Sequence, residues 1–335
     1  MSDNEGFAKP WLEFEEEVGG RLLLHGSISE ILAGYEKVGA TLASTLTFPT
    51  PDQSVTTKDL TIRPGLKVRI YTPQSYEGEK PVCVFYHGGG WAMGDLEGED
   101  IQVRTVCRDA GIVIVSVDYR LAPQHPYPAP FDDCIFAYDW AIENATMLNT
   151  APGAALTFGT SAGGNLALSV ALKVIDEGRG QTLRGVVSVV PVTVAPDSLP
   201  EKWRGSYTSY EEHAEHTINT KSAMKSFLDA YGGQGDDPYV SPLLHRRLKD
   251  IPRVYLAVAG QDTLRDDGRI LRRALDDAGV PNLYDEYPGY PHWFWAFPSK
   301  HLTEAIAAYD RNLKRGFDFV ASESEARGKM RVSMI

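Results

Sequence analysis

The sequence predicts an α/β protein: a mostly parallel sheet of about eight strands, flanked by helices and carrying a helical cap. Three observations predict it. Short β-rich runs alternate with helical stretches from Val82 onward, the pattern of parallel strands joined by crossover helices. A hairpin, Thr56 to Tyr71 with its turn at Pro64-Gly65, precedes that alternation. One stretch, Val192 to Tyr239, holds no good strand and far exceeds the dozen or so residues that a crossover needs.

The elements follow in order. Residues 12–40 read as helical, with Leu22, Leu23, Ile28, Ile31 and Leu32 near helical spacing. After the hairpin come strands at Val82 to Tyr86, Ile112 to Val117, Leu156 to Phe158, Val186 to Val190, Val254 to Val258 and Asn282 to Tyr287. Helices are expected near 97–109, 131–146, 162–177, 264–278 and 302–315. The Val192 to Tyr239 stretch is polar yet carries Trp203, Tyr207, Tyr210 and Tyr231, and reads as an inserted helical cap. The expected division is therefore 1–50 as the N-terminal part of the cap, 51–191 as the first part of the core, 192–240 as the cap insertion, and 241–335 as the second part of the core.

Composition narrows the function classes. The 335 residues can bury a large core without disulfide or metal. Asp plus Glu is 45 against 33 Lys plus Arg, a net charge of −12, which argues against nucleic acid and anionic membranes as partners. No apolar run approaches the about 20 residues of a membrane span, and the N-terminus lacks the apolar core of a signal peptide. The C-terminal Val332-Ser333-Met334-Ile335 matches no common targeting signal. Cys83, Cys107 and Cys134 form no CxxC pair, so neither a disulfide framework nor a zinc site is expected, and a reduced, cytoplasmic setting is the default.

Gly159-Thr160-Ser161-Ala162-Gly163 carries the chemistry. It sits between a strand and a helix-forming run, where a sharp turn exposes a serine hydroxyl above the sheet. A Gly-rich turn with a capping serine is the plainer alternative. His87-Gly88-Gly89-Gly90-Trp91 follows another strand, and its glycines let backbone N–H groups approach developing negative charge. Gly88, Gly89 and Ala162 are the expected oxyanion hole. A phosphate loop is the rival, but the lysine and glycine spacings of such loops are missing.

Ser161 then needs a base and an orienting acid, in the chain order serine, acid, histidine. His292 follows the last strand and is the expected base. His213 and His216 fall in the cap, His245 in a polar loop beside Arg246 and Arg247, and His301 at the start of a solvated helix. Asp262 follows the Val254 to Val258 strand and should hold the His292 tautomer. Asp266 and Asp267 are rivals, but as first-turn charges of the next helix they have a structural explanation.

These motifs together resemble the hormone-sensitive-lipase-like family of α/β-hydrolases. The resemblance is carried by HGGGW at 87–91, Asp118-Tyr-Arg-Leu-Ala-Pro123, GTSAGGN at 159–165, Asp262-Thr-Leu-Arg-Asp266 and His292. Thr160 resembles the GTSAG branch. The resemblance implies an α/β-hydrolase fold, carboxylic ester hydrolysis without cofactor or metal, and a cap built from the N-terminus and the insertion. Trp293 stands where the family often has a small residue, so it and Trp295 either shape an aromatic pocket or only pack. Trp91, Trp203, Tyr207 and Trp293 are the expected pocket residues. Short-to-medium acyl esters, or a small metabolite ester or lactone, are the expected substrates of a monomer or homodimer. Two alternatives remain: a lyase, dehydratase or cyclase on the same scaffold, and an inactive small-molecule binding protein.

Overall fold

The computed structural model describes residues 5–215 and 218–322, so His216 and the C-terminal tetrapeptide lie outside the described residues. The chain runs α1 (Lys9–Glu17), α2 (Ile28–Thr45), β1 (Val55–Arg63), β2 (Leu66–Pro73), β3 (Val82–Tyr86), α3 (Asp100–Ala110), β4 (Ile114–Asp118), α4 (Ala129–Glu143) and α5 (Ala145–Leu148). It continues through β5 (Ala155–Thr160), α6 (Ala162–Asp176), β6 (Leu183–Val189), α7 (Ser209–Glu212), α8 (Lys221–Tyr231), β7 (Val254–Gln261), α9 (Arg265–Asp277), β8 (Asn282–Pro291) and α10 (Thr303–Ala321).

The eight strands form one sheet in the order β1-β2-β4-β3-β5-β6-β7-β8. β1 and β2 form the expected hairpin, and β2 joins β4 antiparallel. Every other neighbour pair is parallel. Every residue of β3 and β5 is buried, as parallel strands covered on both faces must be. Pairs such as Phe85 and Phe158, with ring centroids 4.6 Å apart, fill the space between sheet and helices. Cys83, Cys107 and Cys134 are free and buried in that packing.

Two expectations shift. The N-terminal helical stretch divides into α1 and α2. Gly19, Gly20 and Gly26 adopt positive φ between them, and Ser27 starts α2 in a capping box with Glu30. β8 runs on to Pro291, beyond the expected Tyr287: its register against β7 shifts between the Ala259–Tyr287 and Gln261–Pro291 pairs, and the extra residues bulge from β8. His292 therefore leaves directly from a strand end.

The Val192 to Tyr239 stretch holds α7, α8 and short 3₁₀ turns, and no ladder strand among its described residues. It is fastened to the N-terminal helices by backbone. Leu24 N–H donates to the Ile218 carbonyl at 2.7 Å, and Thr220 Oγ1 donates to the Leu24 carbonyl at 2.6 Å. Leu24 and Asn219 form an isolated parallel bridge.

Asp266 and Asp267 are first-turn charges of α9, as expected, and have a further structural part. Both are buried. Asp266 accepts the N–H groups of Thr208 and Ser209 at 2.8 and 2.9 Å. Asp267 accepts Thr193 N–H at 2.7 Å and Tyr207 Oη at 2.6 Å. They moor residues 193–209 to the core. Burial pushes the Asp267 carboxyl up to about 7 against these hydrogen bonds. His245, expected in a polar loop, is buried and meets Asp176 at 3.1 Å.

Candidate active site

The turn from β5 into α6 places Ser161 at φ 55° and ψ −117°, a strained conformation for a non-glycine residue. Its neighbours make the turn possible. A Cβ on Gly163 would lie 1.9 Å from the Tyr86 carbonyl oxygen, and one on Gly159 would lie 2.1 Å from the Gly163 carbonyl oxygen. Ser161 N–H donates to the Val189 carbonyl at 2.8 Å, which fixes the turn to β6. Ser161 lines a cleft that His292 also lines.

His292 Nδ1 lies 2.6 Å from Asp262 Oδ2, so Nε2 is left for the cleft. The other carboxylate oxygen, Oδ1, accepts Leu264 N–H at 3.0 Å and Asn219 Nδ2 at 3.2 Å. Burial pushes the Asp262 carboxyl up. The charge of His292 and the hydrogen bonds from His292, Leu264 and Asn219 outweigh it, and the group lies below the ordinary carboxylate range. No motif in the sequence marks Asn219 for this role. It belongs to the strandless stretch between β6 and β7, and only the chain fold brings it to a residue so distant in sequence.

The glycine loop departs from expectation at one position. Gly88 N–H donates to Glu99 Oε1 at 2.6 Å, so it is occupied. The N–H groups of Gly89 and Gly90 meet no acceptor among the described residues. Ala162 N–H opens α6, where helix donors have no intrahelical partner. Gly89 and Gly90 adopt φ of 110° and 59°, and a Cβ on Gly90 would lie 2.3 Å from the Phe227 ring. The third glycine of the run thus replaces the first as a free donor. His87 packs face to face on Tyr119 at 4.1 Å, and burial pushes it down to about 4, so it is neutral near pH 7.

Of the four expected pocket residues, the structure puts only Trp293 in the cleft. Trp91 is fully buried and stacks on Tyr231 at 4.3 Å, because its positive φ turns it under the loop. Trp203 is buried in the Glu201–Ser206 turn beneath the Lys202 side chain. Tyr207 spends its hydroxyl on Asp267. The cleft walls are instead Tyr35, Met93, Met224 and Phe227, with Trp293 and Trp295. Tyr35 and Phe227 sit on the amphipathic helices α2 and α8, where an apolar residue facing a cleft looks like one facing a core. Asp95 and Glu99 are the acidic lining groups, and no Lys or Arg lines the cleft among the described residues.

A family model described as the alpha/beta hydrolase fold matches residues 83–296. A versiconal hemiacetal acetate esterase of Aspergillus parasiticus is 45% identical over 302 residues, 89% of this chain and 93% of that protein. The corresponding esterase of Emericella nidulans is 45% identical over 292 residues, 86% of this chain and 99% of that protein. An Aspergillus terreus protein named as an FAD-linked oxidoreductase is also 45% identical, over 84% of this chain but only 34% of its own length. Among solved structures, a thermostable esterase from Pseudomonas putida superposes with TM-score 0.80 at 26% identity, covering 96% of this chain and 99% of that one. Vibralactone cyclase superposes with TM-score 0.82 at 25% identity, covering 96% and 98%. The chain belongs to the α/β-hydrolase fold family, in its hormone-sensitive-lipase-like branch of carboxylic ester hydrolases.

Proposed function

We propose that Ser161, His292 and Asp262 are a catalytic triad that hydrolyses acetate and other short-to-medium acyl esters of neutral, aromatic, small-molecule alcohols. The observation that carries the reading is the 2.6 Å contact from His292 Nδ1 to Asp262 beside a strained, cleft-facing Ser161. His292 Nε2 takes the Ser161 proton as Oγ bonds to the ester carbonyl carbon. The N–H groups of Gly89, Gly90 and Ala162 receive the oxyanion. His292 then protonates the leaving alcohol, the C–O bond breaks, and an acyl-serine remains. Water, deprotonated by His292, attacks it and releases the acid.

The aromatic walls, and the lack of lining Lys or Arg among the described residues, support a neutral aromatic substrate over an anionic one. The acetate esters named for the fungal relatives support a short acyl group. In this reading residues 1–50 and 192–240 form a cap that chooses the substrate, over a core of 51–191 and 241–335. A cytoplasmic enzyme, monomeric or homodimeric, completes it, and the three free cysteines suit a reduced compartment.

S161A tests the reading. It should lower kcat by about 10⁶, as removal of a serine nucleophile does elsewhere. Near-full esterase activity in S161A would sink the assignment. A p-nitrophenyl ester series should peak at short-to-medium chains, and a long-chain optimum with interfacial activation would refute the acyl preference. The likeness to a cyclase favours one second reading, attack on the acyl-serine by a hydroxyl of the substrate itself instead of water. Mass analysis of products separates the two, because only hydrolysis incorporates solvent ¹⁸O.

A further inference from the structure

Glu99 has no part in the triad, yet its carboxylate lies at the centre of the site. It directly precedes α3, it lines the cleft, and it is 8% exposed. Its Oε1 accepts Gly88 N–H at 2.6 Å. Both its oxygens lie 2.7 Å from Thr160 Oγ1, the hydroxyl directly before Ser161. One side chain therefore joins three elements: the start of α3, the glycine loop after β3, and the turn that carries the nucleophile. The space is closed around it. A Cβ on Gly88 would lie 3.2 Å from both Glu99 Oε1 and Thr160 Oγ1.

The two bonded parts are the parts that must stay in register. Gly89 and Gly90 supply oxyanion donors from the loop, and Ala162 supplies one from the turn. Donors in an oxyanion hole act only within a few tenths of an ångström of the developing charge. The loop's own backbone is permissive at Gly88, Gly89 and Gly90, so something outside it must fix its distance from the turn.

We infer that Glu99 is a positioning residue for ester hydrolysis: its carboxylate clamps the glycine loop to the nucleophile turn through Gly88 N–H and the Thr160 hydroxyl. This rests on the proposed triad. Burial pushes the Glu99 carboxyl up against those hydrogen bonds, and a neutral amide of the same shape can make them too. In Glu99→Gln the amide oxygen would accept Gly88 N–H, and the amide NH₂ would donate to Thr160 Oγ1. A shorter aspartate cannot span both partners.

The test compares E99A, E99D, E99Q and T160V, with kcat expressed per active site titrated by a fluorophosphonate. E99A and E99D should lose about 10- to 100-fold in kcat with little change in KM, below the full loss of an oxyanion donor. E99Q should recover most of that loss. T160V should fall between the wild type and E99A, and should cost little more when added to E99A, since one clamp is broken in both. Misfolded protein does not titrate, so a merely structural defect lowers titrated sites and leaves kcat per site unchanged. E99A or E99D with wild-type kcat per site overturns the clamp. If E99A does not fold, E99D, E99Q and T160V carry the test: E99Q no better than E99D, or T160V with wild-type kcat per site, overturns it. Failure of the fluorophosphonate to label the wild type would instead overturn the triad.

Discussion

Replacing Asp262 by Asn should damage catalysis through the tautomer of His292, and the surrounding donors dictate how. Oδ1 of Asp262 receives Leu264 N–H at 3.0 Å and Asn219 Nδ2 at 3.2 Å, while Oδ2 alone faces His292. An amide at this position must keep its oxygen toward the two donors. Its NH₂ then points at His292 Nδ1, which can only accept. The imidazole proton moves to Nε2, and the nitrogen that should take the Ser161 proton is already protonated. The same substitution in a serine protease costs about 10⁴ in kcat, or about 5 kcal/mol of transition-state stabilisation. D262N should therefore lose about 10⁴ in kcat on p-nitrophenyl acetate, with KM within a few-fold and unchanged secondary structure by circular dichroism. A loss below tenfold would refute the reasoning, since it would mean that Asp262 does not set the tautomer.

Three further outcomes are expected. G163A should destabilise the fold by about 3 kcal/mol or more, because its Cβ meets the Tyr86 carbonyl at 1.9 Å; urea midpoints measure this. Asp267 is raised to about 7 from 3.8, so the folded state holds its proton more tightly than the unfolded chain. Its contribution is full below about 4 and is lost as pH rises through about 7. Thermal melts of D267N should accordingly fall less than those of the wild type between those limits, and parallel curves would refute the assignment. W293A should lower kcat/KM for an aryl ester relative to an alkyl acetate about fivefold, from about 1 kcal/mol of lost ring contact. Trp203→Ala should leave that ratio alone, because Trp203 does not line the cleft. A reversed pattern would restore Trp203 to the pocket.

Residues whose chemistry is stated locally are the most legible in sequence. β3 and β5 appear as short apolar runs, and the turns after them carry their glycines within a few positions. The Ser161 motif and His292 can be placed by their position after a strand. What the sequence obscures is set by distant partners. Gly88 looks like a better oxyanion donor than Gly90 until Glu99, at the start of a different helix, takes its N–H. Tyr207 looks like a pocket aromatic until a buried carboxylate on α9 claims its hydroxyl. Trp91 looks like a pocket residue until its positive φ turns it beneath the loop. The break between α1 and α2 is readable in Gly19, Gly20 and the Ser27 to Glu30 box, but the apolar periodicity on either side masks it.

On the proposed reading, in which residues 1–50 and 192–240 choose the substrate, the bridge between Leu24 and Asn219 sets a rule for exchanging that preference between relatives of this chain. Asn219 is paired with the N-terminal segment on one side and donates to Asp262 on the other. The roof of the cleft and the strut behind Asp262 are thus one piece, contributed by two distant stretches of chain. A chimaera that imports only residues 192–240 would inherit an unmatched edge at Leu24 and tilt Asn219 off the acid. Moving residues 1–50 with them keeps that seam intact, so the two segments are best treated as a single exchangeable cassette.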